Sequence, residues 1–282
     1  MKYYLGLIVI ILLFYVNPDR KDVSANSTQF LQYNTDSLRK YSYPLLGIRK
    51  LKDTLKAFLI GTCSFVRKDS LTLIITAKHN LSGYNTFTFE PVHLSYDTIA
   101  VGYYDATTKN YISSNLNIIS AIKKRMANDY FFNKADLIVM PFLDTILAPY
   151  INPINSFVFD TIIKPNEILD SALAYGFAYD STKEYQRETK STFYKGEIIP
   201  INTGYPVNDN LYYTTRPISK YGMSGSPIFF RYIRPDKTPH IVFGEVLFGK
   251  NEKYNVAYSV IPELINLRVK YFLKKQYLLP NK

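Results

Sequence analysis

The stretch Tyr221-Gly222-Met223-Ser224-Gly225-Ser226-Pro227, followed at once by the strand-like run Ile228-Phe229-Phe230, sets a serine between two glycines. A serine hydroxyl is a poor nucleophile until a base takes its proton and donors are ready for the charge that develops. Glycines on either side let the backbone adopt conformations closed to other residues and aim successive N–H groups at one point. The bland alternative is a plain turn. What separates the two readings is whether a base and an orienting acid lie upstream.

Histidine is the scarce ingredient, for the chain holds only His79, His93 and His240. His79 ends the apolar, β-branched run Leu71-Thr72-Leu73-Ile74-Ile75-Thr76-Ala77-Lys78-His79, which reads as a buried strand turning into a short polar segment before Gly83. His93 and His240 read as surface or turn residues. The acid that would hold the imidazole tautomer is expected on a separate element. Asp136 opens Ala135-Asp136-Leu137-Ile138-Val139-Met140-Pro141-Phe142, one carboxylate before a continuous apolar run. Asp129 and Asp144 are its neighbours, one in the polar segment before this strand and the other in the turn after it, and both are expected in solvent.

In this order, Ile75-Thr76-Ala77-Lys78-His79, Ala135-Asp136-Leu137-Ile138-Val139 and Gly222-Met223-Ser224-Gly225-Ser226-Pro227 resemble the motifs of trypsin-like (chymotrypsin-fold) serine peptidases, most closely the bacterial disulfide-free branch. The resemblance runs over about residues 45 to 275, although the segment from Gly83 to Lys134 matches no pattern. It implies a triad of Ser224, His79 and Asp136, with the N–H groups of Gly222 and Ser224 as the oxyanion hole. It further implies that Leu247, Phe248 and Gly249 offer backbone groups to an extended substrate, a form of strand addition. The pocket floor falls on Ile218 with Ser219 beside it, and Val256 and Gly249 form the walls. An apolar floor without an acid implies a hydrophobic or small residue before the cut. Three departures from the family stand out: Met223 where digestive enzymes carry an aspartate that pairs with a new N-terminus, Ser226 for the commoner glycine, and Lys78 for a small residue.

Other chemistries fit less well. Gly244-Glu245-Val246-Leu247-Phe248-Gly249-Lys250-Asn251 matches a phosphate-binding loop except for the final hydroxyl that would hold magnesium. An α/β-hydrolase elbow needs glycine where Ser226 stands and begins its triad with serine. One cysteine and three scattered histidines draw no zinc cluster, so no metal or other cofactor is expected.

With 282 residues, 47% hydrophobic content, abundant Tyr and Phe, and 12 Gly and 15 Pro as punctuation, the chain reads as all-β. Tyr84-Asn85-Thr86-Phe87-Thr88-Phe89 alternates at strand period. The expected architecture is two six-stranded β-barrels of trypsin-like type, residues 45–146 and 167–260. A strap over 147–166 joins them where Pro149, Pro153 and Pro165 interrupt periodicity, and a C-terminal helix and tail occupies 261–282 with Pro262 in its first turn.

The uncharged run Tyr3–Val16 after Lys2 has signal-peptide length and is short for a spanning helix. Residues 1–25 are therefore expected to be a signal peptide ending at Val23-Ser24-Ala25 or an uncleaved membrane anchor, with 26–44 as linker. Either way the rest of the chain is expected outside the inner membrane: secreted, periplasmic or anchored. Cys63 is the sole cysteine, so no disulfide forms within the chain, and Gly61-Thr62-Cys63-Ser64-Phe65-Val66 reads as a strand that buries it. The sequons at Asn26 and Asn80 are taken as chance. The formal charge of +11 is spread along the chain, with one cluster at Arg268, Lys270, Lys274 and Lys275 read as a solvated helix face. A peptide or protein substrate is the expected partner and nucleic acid is not; membrane adhesion by the basic helix is a secondary expectation. The competing reading is a catalytically silent or self-inhibited domain of the same fold that binds peptides or senses stress.

Overall fold

The computed structural model describes residues 35–52, 54–82, 96, 98–105, 110–116, 136–157, 163–178, 191–199, 212–216, 220, 222–251, 256–260 and 262–277. The expected signal or anchor segment, His93, Asp129 and the alternating run at 84–89 lie outside them. A 3-10 turn, Thr35–Tyr41, leads into the strands β1 (Tyr43–Leu51), β2 (Thr54–Lys68) and β3 (Leu71–Thr76). A single helical turn, α1 (His79–Ser82), follows, then β4 (Thr98–Asp105), β5 (Asn110–Leu116) and β6 (Ile138–Pro141). The second half holds β7 (Ile168–Phe177), β8 (Ser191–Ile199), β9 (Tyr212–Arg216), β10 (Pro227–Ile233), β11 (Pro239–Asn251) and β12 (Val256–Val260), closed by the helix α2 (Pro262–Tyr277).

All neighbouring strands run antiparallel, in two sheets. The second six close into a barrel of order β10-β11-β12-β9-β8-β7, while the first six form a sheet of order β5-β4-β1-β2-β3-β6. The first expected barrel is thus corrected to a curled sheet whose edges, among the described residues, are β5 and β6. The segment expected to match no pattern supplies β4 and β5, and the first strand begins at Tyr43.

Strand alternation sorts the apolar runs between cores. On β3, Leu71, Leu73 and Ile75 face a core shared by both sheets, whereas Ile74 faces the interior of the first sheet with Phe65 and Leu45. On β10, Phe229 joins the shared core while Ile228 and Phe230 turn into the barrel. Strands buried on both faces must be apolar at every position, which is why these runs are continuous rather than alternating. Burial removes apolar surface from water at roughly 25 cal/mol per Å² and is the main force holding the two sheets together.

The segment between the sheets touches both: Ile154 bridges Val66 of β2 and Phe157 bridges Phe243 of β11. At the other end α2 packs against β6 and β11 through Leu264, Ile265 and Val269, which complete the shared core. A helix that follows the last barrel strand therefore reaches the first sheet beside Leu137. Cys63 is fully buried, and burial pushes its thiol well above the ordinary value, so it packs as a small apolar residue.

Candidate active site

Register brings His79 and Asp136 together. β3 and β6 are antiparallel with Thr76 opposite Ile138, so two steps beyond the last pair Lys78 stands opposite Asp136, and His79 lies next to it. Leu81, fully buried, fixes α1 in the first sheet. Asp136 grips His79 twice: Oδ1 accepts the backbone N–H at 2.8 Å, and Oδ2 lies 2.6 Å from Nδ1. The acid is 3% exposed and the imidazole 24%, so the carboxylate works from beneath while the ring reaches the surface. With Nδ1–H donated to Asp136, the other ring nitrogen keeps a lone pair for a proton.

The serine loop is clamped between the sheets. Ser224's carbonyl accepts from Thr62 N–H at 2.8 Å and from Asn80 Nδ2 at 2.7 Å, which fills both lone pairs from the first sheet. The same peptide's N–H, on Gly225, donates to Leu247 O at 2.6 Å on β11. Asn80 is the residue after His79, so the loop carrying Ser224 is tied to the turn carrying the histidine. Thr62 is the hub of this junction: its hydroxyl donates to Gly222 O at 3.0 Å and accepts from Phe177 N at 2.9 Å, and its carbonyl accepts from Thr76 Oγ1 at 2.7 Å.

Gly222 and Gly225 both adopt left-handed backbone conformations, φ 87° and 91°. Between them the fully buried Met223 drops into the barrel beside Ala174 and Ile228. An apolar anchor thus holds the loop in place. Ser226 N and Oγ both donate to Met223 O, at 2.9 and 2.5 Å, and Gly176 leaves room for that hydroxyl, since a Cβ there would clash with it. Among the described residues the N–H groups of Gly222 and Ser224 donate to no acceptor. Ser224 Oγ itself donates to Phe248 O at 3.2 Å.

Of the expected substrate strand, Leu247 is taken out of use as a main-chain partner. Its N–H donates to Ser226 O at 3.0 Å and its carbonyl accepts from Gly225, beside a register shift in the β11–β12 ladder, where Gly249 pairs with Tyr258. Ile218 and Ser219 lie outside the described residues; Val256 opens β12 opposite Asn251. Asp144 is corrected from a solvated acid to a structural cap that accepts from Leu147 N at 2.7 Å and Ser114 Oγ at 2.5 Å. Burial raises its pKa, but hydrogen bonds from Leu147, Ser114 and Ile146 outweigh that and hold it below the usual range. His240 is likewise no turn residue: it stands in β11, with Nδ1 3.0 Å from Glu167 Oε2. The phosphate-loop near-match is strand, and Arg268 is 9% exposed, so the basic cluster on α2 is not one solvated face. Helical spacing turns Arg268 inward with Leu264 and Ile265 while Lys270 and Lys274 stay exposed.

Sequence reasoning missed Glu245, which is fully buried on β11 with Oε2 accepting from Ser259 Oγ and Oε1 without a hydrogen-bond partner among the described residues. Burial pushes its pKa from 4.5 up to about 8, with Glu263 adding to the rise. The folded protein keeps this proton while the unfolded chain loses it near 4.5, so stability is full below that value and declines as pH rises toward 8. Its slope is about 1.4 kcal/mol per pH unit. Glu245→Gln should flatten this decline: urea unfolding from pH 5 to 8 is expected to show the variant gaining on the native chain throughout, and parallel curves would refute the assignment.

No family model and no curated protein matches the chain. Among solved structures, a thermostable serine protease AL20 from an extremophilic microorganism is similar at 13% identity and a TM-score of 0.46, covering 83% of this chain and 97% of that one.

Proposed function

We propose that the chain is a trypsin-like serine endopeptidase. The observation that carries this reading is the double grip of Asp136 on His79, at 2.8 and 2.6 Å, together with the clamp that ties the Ser224 peptide to Asn80 beside that histidine. In the mechanism, His79 takes the proton from Ser224 Oγ as the hydroxyl attacks a substrate carbonyl, and Asp136 stabilises the imidazolium. The N–H groups of Gly222 and Ser224 receive the oxyanion. His79 then protonates the leaving amine, and water releases the acyl group by the reverse relay. Substrate pairs in extended form with Phe248 and Gly249, and a hydrophobic or small residue precedes the cut.

Attack requires the Ser224 hydroxyl to leave the Phe248 carbonyl. That same hydrogen bond favours the second reading, a silent or self-inhibited peptide-binding domain. A fluorophosphonate probe separates the two: stoichiometric labelling mapped to Ser224, lost in Ser224→Ala, is expected of the enzyme, and no labelling of folded protein at any pH from 6 to 9 would sink it. In a peptide library, efficient cleavage confined to bonds after lysine would refute the specificity. Export or anchoring through Tyr3–Val16 belongs to the same proposal, and recovery of the native protein in the cytosolic fraction would refute it.

A further inference from the structure

Lys78 immediately precedes His79 and is 2% exposed, which is rare for a lysine. Its surroundings are charged: Asp136 attracts it and Arg268 of α2 repels it. Lys78, at 2% exposure, therefore lies within electrostatic reach of two other buried charges, Asp136 at 3% and Arg268 at 9%. They come from three elements: Lys78 from the β3–α1 turn, Asp136 from the entry to β6, and Arg268 from the closing helix. α2 is held there by Leu264, Ile265 and Val269, in one core with Ala77 and Leu137, the neighbours of Lys78 and Asp136. The serine loop brings the uncharged Ser224. β11 adds apolar Val246 and Phe248 to that core, and its own acid, Glu245, is turned to Ser259 and Glu263.

We propose that Lys78 and Arg268 are positioning residues for the His79–Asp136 pair, a cationic backing that keeps the carboxylate ionised and opposes protonation of the imidazole. This rests on the serine-peptidase reading for its purpose but not for its measurement. A buried carboxylate with no counter-charge tends to take up a proton, and a protonated Asp136 would accept only one of the two hydrogen bonds from His79. Asp136 alone would also favour the imidazolium, which is useless as a base; cations near the carboxylate offset that pull. Lys78 is suited to this because burial, partly opposed by Asp136 and reinforced by Arg268, lowers its pKa from 10.5 to about 8, so it still carries charge at pH 7. The C-terminal helix thereby becomes part of the site that it otherwise only supports.

The test is an NMR titration of the His79 ring protons in the full-length Ser224→Ala protein, which needs no activity. With Lys78→Met the His79 midpoint is expected to rise by about one pH unit. Arg268→Met should raise it in the same direction, and Lys78→Arg should leave it within about a fifth of a unit. Lys78→Met sheds the lysine's desolvation penalty but also takes a buried counter-charge from Asp136, so the fold of each variant is checked first by circular dichroism. If neither methionine variant folds, the unaltered background decides, for its His79 signals should inflect a second time between about pH 7 and 9 as Lys78 loses its proton. Midpoints unmoved in both methionine variants, or no second inflection, would overturn the proposal. Failure of Ser224 to label with fluorophosphonate would instead strike the peptidase reading and leave this measurement standing.

Discussion

Asp136→Asn is expected to lower kcat/KM roughly 10⁴-fold, because an amide cannot reproduce both acceptors that His79 uses. Oδ1 accepts the backbone N–H at 2.8 Å and Oδ2 faces Nδ1 at 2.6 Å. An asparagine that keeps its oxygen on the backbone N–H turns its NH₂ toward Nδ1. That stabilises the tautomer with hydrogen on the other ring nitrogen, which is then a donor and cannot take a proton. The reverse rotamer sets NH₂ against N–H, two donors with nothing between them. Stability should also fall, since Lys78 loses the buried carboxylate that attracts it, and breaking such a pairing costs about 3–5 kcal/mol. The fluorophosphonate labelling rate of Ser224, compared at matched folded fractions by circular dichroism, reads the catalytic part. A loss below about tenfold would mean that Asp136 does not orient the base.

Gly225→Ala should be the most destabilising single change in the serine loop. The residue sits at φ 91°, where an L side chain costs about 1–2 kcal/mol on its own. Its Cβ would also strike the Thr62 carbonyl and Thr76 Oγ1 and approach Ala77 N to 3.1 Å. None of these is the loose end of a flexible side chain. Thr62 and Thr76 are locked to each other at 2.7 Å, and Ala77 leads directly into Lys78 and His79. The methyl therefore wedges the barrel away from the first sheet at the point where Thr62 and Asn80 hold the Ser224 carbonyl. Overpacking of this kind adds about 1–3 kcal/mol, for a total of about 2–5 kcal/mol, a large share of an ordinary domain's stability. A urea-unfolding loss under about 1 kcal/mol would show that the loop can shift without disturbing the junction.

Much of this architecture could be read along the chain, and the reason is burial. β3, β10 and β11 lie between two cores, so both faces are apolar and their sequences stand out as continuous runs bounded by turns. The serine loop stands out because two left-handed positions so close together require glycine. β4 and β5 were not legible, since Thr98–Asp105 and Asn110–Leu116 form an outer part of the sheet where polar residues such as Ser113 and Asn115 interrupt the pattern. Which strands form the edges of the first sheet among the described residues could not be read either, because closure depends on which edges meet and not on how many strands there are.

The candidate site divides along the same line. His79, Asp136 and Ser224 can be singled out because each sits where a strong local signal ends, and local signals follow from backbone periodicity and glycine conformation. Thr62, Asn80, Lys78, Arg268 and Glu245 carry no such signal. A threonine in a strand, an asparagine after a histidine and an arginine in a basic helix each have a common surface meaning. Only the packing of sheet, barrel and helix turned Thr62 into the hub of the loop, buried Lys78 and Arg268 behind Asp136, and left Glu245 a proton to keep. The sequence by itself determined the continuous apolar strands, the glycine loop and the three candidate residues, because those depend on neighbours a few positions apart. The tertiary structure alone decided which charges lie behind the acid, since desolvation and Coulomb interaction depend on distance through space, and the elements involved are far apart along the chain.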